Sequence, residues 1–180
     1  MSDATPKIYF VTGGSRSGKS THAESIAASL ADDVVYVATC RTEGMDDEMK
    51  DRVERHQQSR PAHWETVENS FELSALARRF PSRTLLLDCL TLWTAHWMEH
   101  DPSIDATLER LQNGLTALRE HKVSAVIVSN EIGSGIVPMG PENRSYRDLI
   151  GWANQRVAAE ADVVDFVVSG IPMRIKPTKA

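Results

Sequence analysis

Short apolar runs alternate along the chain with longer stretches whose apolar residues recur at intervals of three and four. Residues 7–12 (KIYFVT), 34–38 (VVYVA), 84–87 (TLLL), 123–129 (VSAVIVS) and 163–169 (VVDFVVS) read as strands, with a shorter one at 63–68 and a further one at 171–175. Helical periodicity occupies residues 18–31, where Ala23, Ile26, Ala27 and Leu30 share a stripe, and residues 46–58 and 71–80, the latter stopped by Pro81. After residue 88 a helical region is interrupted near Asp101-Pro102-Ser103 and resumes to about His121; a last helix covers 145–161. Residues 130–143 are rich in glycine and proline, lack a period and read as a long loop. Strands apolar on nearly every residue are buried on both faces, which requires a parallel sheet between helices. The expectation is a three-layer, open, mostly parallel α/β fold.

Composition narrows the class. The 180 residues are 41% hydrophobic and 25% charged, an ordinary globular balance sized for one domain spanning 1–180. A net charge of −5 argues against a broadly basic nucleic-acid binder. Two cysteines, Cys40 and Cys89, make no disulfide scaffold and suit a reducing compartment. No run approaches the roughly 18 apolar residues of a membrane span, and the N-terminus lacks the regions of a signal peptide. These features lead us to expect a soluble cytoplasmic protein with neither nucleic-acid nor membrane partners.

Chemistry enters at Gly13, Gly14, Ser15, Arg16, Ser17, Gly18, Lys19 and Ser20, which satisfy G-x-x-x-x-G-K-[ST] between a strand and a helix. Glycines let the backbone approach phosphates closely, and N–H groups converge at the helix N-terminus. Lys19 reaches the β- and γ-phosphates as a point charge, and the Ser20 hydroxyl suits Mg²⁺. Arg16 either adds a phosphate contact or is simply solvated. Asp88, at the end of the strand 84–87, either holds the metal's water shell or caps the following helix. Cys89 reads as a small buried residue.

A second cluster centres on His56. Met49, Val53 and His56 share the inner stripe of helix 46–58, and Arg52, Arg55 and Arg60 lie nearby. The imidazole is either a satisfied core group or a nucleophile that forms a labile phosphoramidate; the arginines suit phosphate. The glycine-rich loop following the strand at 123–129 lies at the carboxyl edge, where open α/β sheets bind ligands, and is either a binding loop or a mobile connector. Beyond it, Asn143-Arg144, Arg147-Asp148 and Asn154-Gln155 face either ligand or solvent. Trp93, Trp97 and Trp152 read as core or subunit-interface residues.

These motifs together resemble the bifunctional adenosylcobinamide kinase / adenosylcobinamide-phosphate guanylyltransferase family. The matching stretches begin with VTGGSRSGKS at 11–20, YVAT at 36–39 and DDEM at 46–49, then His56, Arg60-Pro61 and WETVE at 64–68. They continue with NEIGSGIVP at 130–138 and the three polar pairs named above, so the likeness covers almost the whole chain. It implies a RecA-type P-loop fold, a trimer and two Mg-dependent reactions. ATP or GTP phosphorylates adenosylcobinamide; GTP then guanylylates a histidine, which passes GMP to adenosylcobinamide phosphate. The matching histidine is His56, in an Arg55-His56 pair where some members carry two histidines. Nucleotide contacts implied by the resemblance are the P-loop, Thr39, Cys40, Arg41, Arg60, Glu68 and Asp88. Two rivals remain: a single-activity small-molecule kinase with a structural His56, and a nucleotide switch or RecA-type motor, the motor disfavoured by the acidic charge.

Overall fold

The computed structural model describes residues 6–40 and 61–177. In chain order the elements are β1 (Ile8–Gly13), α1 (Lys19–Leu30), β2 (Val34–Ala38), β3 (Glu65–Glu68), α2 (Leu73–Arg79) and β4 (Thr84–Asp88), followed by α3 (Leu90–His100), α4 (Ile104–Glu120), β5 (Ser124–Asn130), α5 (Pro141–Glu160), β6 (Val163–Val168) and β7 (Ile171–Lys176). The expected helix at 46–58, and with it His56, Arg41 and Arg60, lies outside the described residues.

Seven strands form one sheet in the order β3-β2-β4-β5-β1-β6-β7. Every pairing is parallel except the β6–β7 hairpin. Both faces of the inner strands are apolar, as the unbroken hydrophobic runs demand. Ile8 and Phe10, Val35 and Val37, and Leu85 and Leu87 face α2, α3, α4 and α5. Val11, Val34, Tyr36, Leu86, Val126 and Val128 face the other way, and Ala23 and Ala27 of α1 pack there. Small residues on α1 let its axis lie close to the sheet. Leu111, Leu115 and Leu118 form the buried stripe of α4; truncating any one to alanine costs about 2–5 kcal/mol.

Element ends depart from the sequence pattern where capping chemistry decides. The last helix begins at Pro141, four residues before the first expected residue, with Gly140 as its N-cap. Proline has no N–H to leave unsatisfied in a first turn, so it opens this helix rather than prolonging the loop. The irregular segment is therefore shorter, residues 131–140. The break at Asp101-Pro102-Ser103 separates α3 from α4, and the Ser103 hydroxyl caps α4 by accepting from the Ala106 N–H at 3.2 Å. At the amino edge, Asp162 accepts from the Ile8 N–H at 2.7 Å and from Arg119 Nη1 at 2.8 Å, joining β1 to the end of α4. Burial pulls the Asp162 pKa up, but the bonds from Arg119 and Ile8 outweigh it and hold the carboxyl below its ordinary value.

Candidate functional site

β1 ends at Gly13 and α1 starts at Lys19, so the P-loop residues form the turn between them at the carboxyl edge of the sheet. Two glycines are dictated by shape. Gly18 has φ 92°, a left-handed conformation that favours a residue without Cβ. A Cβ on Gly13 would strike the Val167 carbonyl oxygen and lie 2.8 Å from Ser17 Oγ. Gly18 is also the N-cap of α1 and supplies no side-chain cap, so the first N–H groups of the helix are left for an anion. Lys19 is 7% exposed, and its ammonium donates to the Gly14 carbonyl at 3.2 Å. Ser17 Oγ is buried and accepts or donates no hydrogen bond among the described residues. Ser15 and Arg16 lie on the exposed rim, and Ser20 is half-buried in the first turn of α1.

Asp88 reaches this edge from a strand that is not β1's neighbour. It stands opposite Val128 of β5, which stands opposite Val11 of β1. Two strand spacings make that about 10 Å. Asp88 Oδ2 accepts from the Tyr36 hydroxyl at 2.9 Å. The N-cap of α3 is Cys89 and not Asp88, so the capping role is set aside. Asp88 and Lys19 are both felt at the Cys89 thiol. Burial first, and then the Asp88 charge, push its pKa up to about 11, against a smaller lowering by Lys19. Cys89 is therefore a protonated packing residue, as its composition-based reading expected.

Thr39 ties the ends of β2 and β4 together. Its Oγ1 donates to the Cys89 carbonyl at 2.8 Å and accepts from the Cys89 N–H at 2.7 Å. Cys40 follows, half-buried and in no disulfide. Glu68 ends the edge strand β3, opposite Ala38, which is itself opposite Asp88. It lies four strands from β1, roughly 19 Å along the sheet edge.

The loop after β5 is anchored against the P-loop. The Glu131 N–H donates to the Gly13 carbonyl at 3.0 Å. Glu131 Oε1 then accepts from the N–H groups of Gly133 and Ser134 at 2.6 and 3.1 Å. From α5, Arg147 donates to the Gly133 carbonyl at 2.6 Å, and Arg144 donates to the carbonyls of Pro138 and Met139. These arginines therefore clamp the loop. Asn154 donates to the Asn130 carbonyl at 3.2 Å, while Asp148 and Gln155 are exposed. Trp93 is core, its indole N–H held by the Phe71 carbonyl at 2.6 Å; Trp152 is 45% exposed.

Sequence reading missed three groups at this edge. Tyr36 reads in the sequence as an apolar strand residue within the family-like stretch 36–39, with no role for its hydroxyl. Thr91 receives the Asn130 N–H at 2.9 Å and Asn130 Nδ2 at 3.1 Å on its hydroxyl, and the Tyr146 hydroxyl donates to its carbonyl at 2.6 Å. His22, one turn beyond Lys19, bonds to Asp165. The available signals were a tyrosine hydroxyl within an otherwise apolar strand, a threonine in the first turn of the helix after Asp88, and a histidine in the turn after the P-loop lysine.

This arrangement can hold a nucleoside triphosphate by its phosphates. Comparison with known proteins agrees. The fold is that of RecA-like P-loop NTPases; the RadB recombinase superposes with a TM-score of 0.50 at 17% identity, over 89% of this chain and 73% of that one. A bifunctional adenosylcobalamin biosynthesis protein, CobU, from Salmonella typhimurium is 41% identical over 94% of this chain and 99% of its own. Its counterpart CobP from Pseudomonas aeruginosa is 41% identical over 92% and 95%. The model of the cobinamide kinase / cobinamide phosphate guanyltransferase family matches residues 9–175. A P-loop with its lysine buried, a strand-end aspartate beside it and a match from β1 to β7 have one explanation: the chain belongs to the cobinamide kinase / cobinamide phosphate guanyltransferase family.

Proposed function

We propose that this chain, as one domain, is a bifunctional enzyme that phosphorylates adenosylcobinamide and then converts the product to adenosylcobinamide-GDP. The observation that supports this reading most is the P-loop, with Lys19 buried under it, in a chain aligned almost end to end with relatives named as bifunctional. In the kinase step the acceptor hydroxyl attacks the γ-phosphorus of ATP or GTP, loses its proton and expels the nucleoside diphosphate. In the second, an imidazole nitrogen of His56 attacks the α-phosphorus of GTP and pyrophosphate leaves. The phosphate of adenosylcobinamide phosphate then attacks the His56–GMP phosphorus, restoring the histidine. The P-loop N–H groups and Lys19 hold and balance the phosphates in both steps.

The donor set fits Mg²⁺. The Ser20 hydroxyl, in the first turn of α1, and the Asp88 carboxylate, at the end of β4, are hard oxygen donors, and Mg²⁺ is ordinarily held by one or two such groups plus phosphates and waters. When bound, the ion neutralises charge on the phosphates. Ser20 would touch it, and Asp88, oriented by Tyr36, would order its waters. On this reading Asp88→Asn raises the Mg²⁺ concentration needed for half-maximal turnover while the fold stays intact. A Mg²⁺ titration paired with a thermal melt checks it; unchanged Mg²⁺ dependence would sink the assignment.

The family resemblance assigns the contacts to the base and ribose of GTP to Thr39, Cys40, Arg41, Arg60 and Glu68. Thr39, its hydroxyl engaged by Cys89, acts by placing Cys40. The function is tested by incubating the protein with α-³²P-GTP and Mg²⁺ and treating the labelled product with acid and alkali. Label lost in acid and kept in alkali supports attachment to histidine; no label overturns the guanylyltransferase half.

Assembly as a cytoplasmic trimer belongs to the same reading. Residues 91–100, which carry Trp93 and the partly buried Trp97, are the proposed contact. Sedimentation at micromolar concentration should give a species near three times the 20.0 kDa chain mass; a monomer counts against it. Among the described residues no helix is long and apolar enough to cross a membrane.

A further inference from the structure

An ionic cluster built on one buried aspartate lies on the side of the P-loop away from Asp88 and takes no part in the chemistry above. Asp165 is the third residue of β6, opposite Val11 of β1 and Arg174 of β7. Val167 of β6 packs in the core layer that includes Ala23 and Ala27 of α1, and the two-residue period of a strand puts Asp165 on that same face. Its side chain is 3% exposed. Arg174 Nε donates to Oδ1 at 2.8 Å and Nη2 to Oδ2 at 3.2 Å; His22 Nε2 donates to Oδ2 at 2.8 Å. Burial alone would raise the Asp165 pKa, but the bonds from Arg174 and then His22 outweigh it and hold the carboxyl below its ordinary value. A buried charge is retained only when it is paired and its lone pairs are satisfied, and these contacts satisfy both requirements.

His22 sits in the first turn of α1, and its backbone N–H donates to the Gly18 carbonyl at 3.1 Å. The hairpin makes three further contacts. The Gly170 N–H donates to the Ser17 carbonyl at 2.8 Å. Gly170 Cα blocks the space a Cβ on Gly18 would need, 3.2 Å away, and the Val167 carbonyl blocks the one on Gly13. The hairpin thus touches the P-loop at its first glycine, its middle, its last glycine and the helix turn that follows.

We infer that the β6–β7 hairpin is the rigid backing of the P-loop and that His22, held by the Asp165–Arg174 pair, is a positioning residue for the triphosphate. The inference rests on the P-loop's binding a nucleoside triphosphate. Phosphate recognition by a row of N–H groups depends on those groups being aligned before the ligand arrives, because ordering them on binding subtracts from affinity. With the His22–Asp165 bond in place, the turn carrying Lys19 and Ser20 is fixed to the sheet.

The test is fluorescence titration of the full chain with mant-GTP and with mant-GMP, in the presence of Mg²⁺. His22→Ala is expected to weaken mant-GTP binding about tenfold, the cost of ordering one or two groups afresh, with mant-GMP affinity changing less than twofold. His22→Gln, whose amide can donate to Asp165, should return mant-GTP affinity to within about threefold of the parent. Asp165→Asn keeps the side-chain shape and should show the same triphosphate-selective loss if the alanine variant fails to fold. Unchanged mant-GTP affinity in His22→Ala and Asp165→Asn, or equal losses for both nucleotides, overturns the inference alone. A parent chain that binds no mant-GTP overturns it together with the P-loop reading on which it rests.

Discussion

His56→Ala abolishes covalent GMP labelling and guanylyl transfer while leaving most of the kinase activity: this is the largest effect expected of any single substitution here. The reason is chemical. Phosphorylating a hydroxyl needs only an aligned γ-phosphate and acceptor, and no protein nucleophile. Moving GMP through an enzyme-bound intermediate needs a group that attacks when neutral near pH 7 and then leaves readily. Imidazole does both. Arg52, Arg55 and Arg60, close to His56 in the sequence, are residues of the type that suits phosphate charge. The measurement is α-³²P-GTP labelling beside a kinase assay on the same preparation. Acid-labile label on the variant sinks the assignment. Loss of both activities with an intact fold shows that the two reactions share the residue.

Lys19→Ala should cripple both activities. Lys19 is buried at the helix N-terminus, where its ammonium donates to the Gly14 carbonyl of the loop. Removing one such cation costs on the order of 2–4 kcal/mol at the transition state, roughly a 30- to 1,000-fold loss of rate. The loss should appear in kinase turnover and in pyrophosphate release during labelling alike. Full kinase activity in this variant would show that the P-loop does not position the donor. Lys19→Ala and His56→Ala therefore separate the shared phosphate cradle from the nucleophile used by one reaction.

Much of this was legible in the chain because its signals are local. A strand buried on both faces needs apolar residues throughout, so β1, β2, β4, β5 and β6 were visible as unbroken runs. The P-loop was visible because its glycines, lysine and serine are dictated by backbone shape and phosphate charge within eight consecutive residues. The start of α5 was misplaced because proline marks both loop ends and first helical turns, and only the Gly140 cap distinguishes them. The roles of Arg144 and Arg147 stayed open because a helical period says which residues share a face but not what the face meets.

The sequence by itself determined the fold class, the phosphate-binding turn and the residues that carry the family likeness, since each depends on spacing along a short stretch. Only the tertiary structure decided that β4 lies two strands from β1, which brings Asp88 to the edge that holds Lys19. Only it decided that Tyr36 orients Asp88 across 52 residues of chain, and that Asp165 holds His22 across 143. The physical reason is strand order. In a parallel sheet the neighbours of a strand are set by crossover connections and the packing of whole helices. Side chains far apart in the chain therefore meet at one sheet edge without leaving any periodic trace in either segment.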